Sequence, residues 1–437
     1  MTNFSKRPTL WKQLGAAACI SSVVVSAPAL AQAPAAERPA PYAMSPESNT
    51  LPEKVLRARI PFVSASSKGA AYDGEGKKID GGLSANVMAS GLAVEYGLTD
   101  TLSLGILAPF VAKNHVAING DNFRNQHVYK VAKEQLYEGA SALLIRNGIC
   151  TNISTCSALL DSGYPLPSDT DLVLPTGETV KIKAGVPINQ AAHHLIINAA
   201  NPADGAIGMG DLDLGAKFRW LRNDTMGHAV GLVLHVPTGK YQDVTLSQRA
   251  TGRGIMEMSL RSSFDYKLSE NYIAGWQHNL DYAIGSGKTK RTSLLDNTSL
   301  NTESTTKLTA ADTRDGYANS NTFKRPGIRS SGFVDVKAGL GQFSQSLNTI
   351  GAKVRYAYDF DTAVLVEDRE DLEPHGFRST ERSNIHNVGL GLNFDGFQLE
   401  NRIPVRVTWD LDIPIKGSNK LVAAIKNTVV TELYYKF

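Results

Sequence analysis

Along much of the chain, apolar and polar side chains alternate at every second position, the period of an extended strand with one face in an apolar medium. The clearest run is Arg402–Ile415, where Ile403, Val405, Val407, Trp409, Leu411, Ile413 and Ile415 alternate with Arg402, Arg406, Thr408, Asp410 and Asp412. Ala424–Phe437 repeats it, with Ile425, Val429, Leu433, Tyr435 and Phe437 on one side and Lys426, Thr428, Glu432, Tyr434 and Lys436 mainly on the other. Similar runs cover 55–65, 88–98, 102–111, 211–220, 228–238, 255–268, 271–285, 333–343, 348–360 and 387–394. Together they predict about twelve strands, with twelve to fourteen as the bounds.

The connections carry the next step. Those at 99–101, 223–226, 269–271, 344–347 and 395–400 are short, and those at 66–86, 114–204, 239–254, 286–327 and 361–386 are long. Only the connection around Gly417–Lys420 is short where a long one is expected. Short links force antiparallel hairpins, and strict alternation puts the long loops at one end. The pattern therefore predicts an all-β, transmembrane, antiparallel up-and-down barrel over 54–437. Residues 114–204 break the rhythm with a helix predicted over 128–145, so a partly helical insertion lies between strands 3 and 4, as an extracellular lid or a plug.

Targeting signals agree. Lys6, Arg7 and Lys12 precede an apolar stretch from Leu14 to Val25 and the small-x-small site Ala29-Leu30-Ala31, which predicts a signal peptide over 1–31 and export. The Ala- and Pro-rich 32–53 is then a flexible periplasmic leader or a plug. No later stretch is apolar for long enough to make a spanning helix. Cleavage removes three of the 45 basic side chains and none of the 42 acidic ones, leaving equal numbers. A neutral chain offers nothing to nucleic acid. Of the three cysteines, Cys150 and Cys156 stay in the mature chain and read as a local disulfide rather than a metal site.

If the apolar faces meet lipid, the opposite faces fill the lumen. The lumen-lining candidates are Arg57, Arg59, Asp211, Asp213, Lys217, Arg219, Glu257, Arg261, Asp335, Lys337, Lys353, Arg355, Arg402, Arg406, Asp410 and Asp412. Both signs are present in similar numbers, so the wall by itself predicts no strong ion selectivity. Pro61, Pro109, Pro237, Pro404 and Pro414 lack ladder donors and mark bulges, strand ends or a lateral opening in the wall. The histidines have no Ser or Asp at a recognisable catalytic spacing, so no catalytic, metal or cofactor site is predicted.

The run Gly208-Met-Gly-Asp-Leu-Asp-Leu-Gly-Ala-Lys-Phe-Arg-Trp220, the following Gly231-Leu-Val-Leu-His-Val-Pro-Thr-Gly239 and the turns Tyr96-Gly-Leu-Thr-Asp100 and Tyr266-Lys-Leu-Ser-Glu270 resemble the outer-membrane family associated with the meta-pathway of phenol degradation, related to the long-chain fatty-acid transporter barrels. The resemblance spans most of the strand region but not 114–204. It implies passive uptake of small hydrophobic or aromatic compounds across the outer membrane of a Gram-negative bacterium, with no catalytic residues. The ending Leu433-Tyr-Tyr435-Lys-Phe437 resembles the signal by which the barrel-assembly machinery inserts such proteins. The expected partners are outer-membrane lipid, that machinery and a small apolar or aromatic solute. The alternative is a structural or adhesive barrel, or a general porin, with partner-binding outer loops.

Overall fold

The computed structural model describes residues 48–173, 179–200, 205–240, 251–252, 254–284, 287–289, 322–325, 328–361, 365–367, 377–378, 382–420 and 422–437. The expected signal peptide over 1–31 and residues 32–47 lie outside the described residues. Twelve strands form the wall: β1 (Val55–Tyr72), β2 (Lys78–Thr99), β3 (Leu102–Ile118), β4 (Leu212–Arg222), β5 (Met226–Val236), β6 (Met256–Lys267), β7 (Tyr272–Ile284), β8 (Arg329–Gly339), β9 (Ile350–Asp361), β10 (Ser383–Asp395), β11 (Val405–Ser418) and β12 (Ile425–Lys436). Each pairs antiparallel with its sequence neighbours. The barrel closes where β1 meets β12, from Val55 opposite Lys436 to Ser66 opposite Ile425. Closure leaves no strand without a neighbour on either side, the condition for spanning hydrocarbon with strands.

The alternation is realised as a lipid-facing band. Large apolar side chains stand exposed outside every part of the wall, among them Leu92, Ile106, Phe110, Leu214, Leu232, Leu260, Trp276, Val334, Val354, Leu390 and Ile413. In water so large an apolar surface would drive aggregation; in a bilayer it is the interface. Tyr435 and Phe437 stand outward at the end of β12, their rings in edge contact at 4.7 Å, with Tyr96 packing edge-on to Phe437 at 6.4 Å.

The outer face is not wholly apolar. His278 on β7 and Tyr358 on β9 both point outward across Gly332 of β8, with which each is in register. With no side chain at Gly332, the Tyr358 hydroxyl reaches His278 Nδ1 at 2.6 Å. A methyl group at Gly332 would stand 2.3 Å from the Gln277 carbonyl oxygen and 2.8 Å from that hydroxyl. Tyr358→Phe should leave the imidazole nitrogen unpaired against hydrocarbon and cost about 1–3 kcal/mol, read as a lower denaturant midpoint in detergent with an unchanged slope.

One expectation about the loops fails. Residues 66–86, taken as a long outer loop, are ladder: β1 and β2 run on to a tight hairpin at 73–77, where Gly76 has φ +83°. The reason is the insertion. Its helices α1 (Gly120–Phe123), α2 (His127–Arg146), α3 (Ile153–Asp161) and α4 (Ile188–Ala200) need a wall to pack on. Phe123, Leu136, Leu144, Cys156, Leu160, Ile188 and Ile196 form one buried core with Leu83 and Ala85 of β2 and Val116 of β3. The expected helix over 128–145 is α2. The stretch after it, where no further helix was expected, contains α3 and α4, and Cys150 is joined to Cys156 beside the Asn152–Thr155 capping box that starts α3.

Candidate functional site

Residues ahead of β1 cross the lumen at the end of the barrel that carries the short turns. Lys54 N donates to Gly97 O at 3.0 Å, Leu51 N to Ser103 Oγ at 2.9 Å, and Thr50 Oγ1 to Asp100 O at 2.6 Å. Arg219 of β4 donates to Asn49 Oδ1 at 2.5 Å, and Ser48 Oγ reaches Asp265 of β6 at 2.7 Å, almost diametrically across from β1. Ser48, Thr50 and Leu51 are buried. A side chain at Gly97 would fill the place of this strap, since its Cβ would lie 2.0 Å from Pro52 O. The described end of the 32–53 segment is thus a floor pinned to four strands.

Above the floor the inward charges gather into paired groups. On the β12–β4 side, Arg57 is 1% exposed and bridges Glu95 and Glu432, the latter at 3.5 Å. Arg59 meets Glu432 at 3.0 Å and Lys217 meets Glu95 at 3.0 Å. Tyr434 donates to Glu432 at 2.6 Å, and next to this group Arg406 of β11 meets Asp395 of β10 at 3.0 Å. On the β6–β11 side, Lys337 lies between Asp265 (3.0 Å) and Asp335 (3.5 Å), Lys353 meets Asp410 at 2.9 Å, and Arg355 Nε donates to Asp412 at 2.8 Å. Nearer the outer end, Asp213 meets His235 Nδ1 at 2.5 Å and Arg329 pairs with Asp281. Glu257 is opposite His235 in the ladder and Arg261 is opposite Asn279. In each group a cation stands beside a carboxylate, which offsets much of the cost of burying either charge alone.

Two of the candidate lining residues stand elsewhere. Arg402, expected inside a strand starting at 402, is exposed in the β10–β11 turn with φ +40°. The strand begins only at Val405, after Pro404, which has no N–H for the ladder. Asp211 precedes β4, and its Oδ1 accepts from Gly239 N at 3.0 Å, tying two outer connections together. Glu95, Asp281 and Asp395 also take part in ion pairs and were missed, although Glu95, between Val94 and Tyr96, sits in a clean alternating run.

Between the floor and the insertion, one sector of the inner wall is apolar. Continuing inward from Arg57 and Arg59, β1 presents Pro61 and Val63; opposite or beside them stand Val430 of β12, Ala89 of β2 and Leu107 and Val111 of β3. The lumen therefore has an apolar wall facing a charge-paired one. Its outer end is overhung by the insertion, which packs on the inward face of β2 and β3. Among the described residues there is no group of acids, histidines and cysteines that could hold a metal.

The wall is also incomplete at one seam. The β11–β12 ladder stops at Asp412 opposite Lys426. Beyond it Pro414 lacks a donor, β11 shifts register against β10 at His386/Asn387, and the chain after Ser418 bonds instead to β1, with Lys420 N donating to Tyr72 O at 3.0 Å and Ala423 N to Ala70 O at 2.7 Å.

The insertion responds to acid. Burial would raise the Asp161 carboxyl, but bonds from Lys133 Nζ (2.6 Å) and Tyr137 (2.9 Å) outweigh it and hold the group below its ordinary value. Burial lowers His193, whose Nδ1 meets the Tyr129 hydroxyl at 2.9 Å. Both groups bind protons more readily in the unfolded insertion. Their contribution is complete above the unfolded imidazole value of about 6.5 and is lost as pH falls through the imidazole and then the carboxylate range. Limited proteolysis should cut the insertion faster at about pH 5 than at pH 8 while the barrel stays intact.

No family model matches the sequence, and no curated protein matches it. Solved structures do. The COG4313 outer membrane channel from Pseudomonas putida F1 superposes with a TM-score of 0.52 at 12% identity, over 90% of this chain and 100% of that one. The TodX monoaromatic hydrocarbon channel (deltaS2 mutant) gives 0.34 at 9% identity over 89% and 91%, and the CymD monoaromatic hydrocarbon channel gives 0.31 at 10% over 89% of each. At these identities likeness speaks of architecture alone, and the first of the three shares with this chain the fold of a closed transmembrane β-barrel.

Proposed function

We propose that this protein is an outer-membrane channel for passive uptake of small hydrophobic or aromatic compounds, of the kind the resemblance to the meta-pathway phenol-degradation family implies. The observation that carries the reading is the apolar inner sector Pro61, Val63, Leu107, Val111 and Val430, held between a strapped floor and a folded cap. A water-filled general pore has no use for such a wall, whereas an apolar solute gains free energy along it in proportion to the area it buries. The TodX and CymD channels are monoaromatic hydrocarbon channels, of the same substrate class.

The floor gives the route its direction. A solute on the apolar sector is barred below by the residue 48–54 strap and the charged groups beside it, so it leaves sideways through the seam above Asp412 and Lys426, which opens next to the outer end of that sector, Lys426 being opposite Ala65 two positions beyond Val63. Ile413 and Ile425 flank that seam and are exposed. Ile413→Cys with Ile425→Cys, oxidised to close the seam, should abolish uptake of a radiolabelled monoaromatic by cells that depend on this protein, and reduction should restore it. Undiminished uptake through the closed seam would refute the sideways route.

A further inference from the structure

Above the apolar band, the outer face of the first three strands changes character. The spans 60–68, 84–92 and 108–117 contain no Asp or Glu. They do contain Lys68, Lys113 and His115, all exposed on the outside of the wall. Lys68 is in register with Ser84, and His115 is in register with Asn86, which faces Ser66 on the other side. A basic diagonal thus runs across β1–β3 on a bed of hydroxyl and amide groups.

Its height is set by the strands. Lys68 lies twelve positions above Leu56, the first outward residue of β1. At about 3.3 Å per residue and a tilt of roughly 40°, that is roughly 30 Å, just past the outer edge of an apolar band about 25 Å tall. Lys113, eleven positions above Leu102, reaches a similar level. Among the described residues neither lysine is in an ion pair. Asp80, the next acid along β2, is turned to the insertion, where its carboxylate accepts from Gly82 N at 3.0 Å and Asn122 Nδ2 at 2.9 Å.

We infer that this face of β1–β3 is a binding site for a phosphorylated glycolipid of the outer leaflet, with Lys68 and Lys113 each meeting a phosphate and His115, Ser66 and Asn86 offering hydrogen-bonding groups to the sugar between them. The occupant follows from place and charge. An unopposed cation pair at headgroup level, directly above a wall already wetted by acyl chains, matches a molecule that carries both acyl chains and phosphate. Two separated cations favour two phosphates joined by a rigid sugar unit over a single free phosphate. The inference rests on the barrel spanning the membrane and not on what passes through it.

The test is a titration of the purified full-length mature protein in detergent, followed by native mass spectrometry. Bisphosphorylated lipid A, the same lipid stripped of its phosphates, and phosphatidylglycerol are added in parallel. Lys68→Gln with Lys113→Gln should weaken lipid A binding about tenfold or more, while Lys68→Arg with Lys113→Arg retains it and Lys416→Gln, elsewhere on the rim, leaves it unchanged. Heat-dependent gel mobility checks that each variant is a folded barrel. Wild-type affinity in the double Gln variant, equal binding of the dephosphorylated lipid or of phosphatidylglycerol, or appearance of a dimer in place of the lipid adduct would each overturn the assignment.

Discussion

Deleting residues 32–52, so that residue 31 leads directly into Glu53, should raise single-channel conductance in planar bilayers several-fold. The floor is bonded to the wall on both sides of the lumen. Its bonds run to Asp100, Ser103, Arg219 and Asp265, from both sides of the lumen, and Ser48 has no exposed surface. The cap, by contrast, packs on the inner face of β2 and β3. A strap bonded to opposite sides of the lumen obstructs it more than a cap held on one side, so removing the floor should change the current and loosening the cap should change it little. Conductance equal to that of the intact chain would mean that the strap leaves an open path.

Replacing Arg57 by Met should be the most damaging single change in the wall, costing about 3 kcal/mol. The guanidinium is the centre of its group. It touches Glu95 and Glu432, and its carbon lies 6.0 Å from the Tyr434 ring centre. Glu432 is 4% exposed, so with Arg57 gone its carboxylate loses a partner where water cannot substitute. Arg59 and Lys217 each hold one of the two acids, which keeps the loss at the lower end of what breaking a buried pair costs. Adding Glu432→Gln to Arg57→Met should recover part of the stability in denaturant unfolding, because the uncompensated charge is then removed. A double variant as unstable as the sum of the two single ones would show that Arg57 contributes by packing and not by charge.

The positions of all twelve strands were legible because hydrocarbon imposes one rule on every outward position at membrane depth. Val405–Ser418 and Ile425–Lys436 differ from their expected spans by a few residues at the ends. The same rule explains where the reading stopped on β1–β3. Above the membrane the phase inverts: Leu83, Ala85 and Val116 are apolar and turned in to the insertion, while Ser84, Asn86 and His115 are polar and turned out. A reader looking for apolar-out alternation sees a loop there. The helices α3 and α4 lay hidden between prolines, although the Asn152–Thr155 capping box marks one start and Pro187, just ahead of Ile188, marks the other.

The lumen was harder to read. Charges on the inward face could be assigned by alternation, and Arg57, Lys217, Lys337, Lys353, Arg355, Asp410 and Asp412 do meet partners there. Which acid meets which base depends on barrel stagger, which no single strand encodes. The strap 48–54 has no periodicity, since its backbone is held by turns and side chains rather than by a ladder. The apolar inner sector was overlooked because Pro61, Val63 and Val430 interrupt the charge pattern that marked the inner face elsewhere.

The most direct measurement compares, in cells lacking their own copy and given either this gene or an empty vector, the initial uptake rates of a labelled monoaromatic hydrocarbon and of a sugar of similar size. The account predicts that the protein accelerates the aromatic and leaves the sugar at the background rate. Equal acceleration of both would describe a general pore and contradict it.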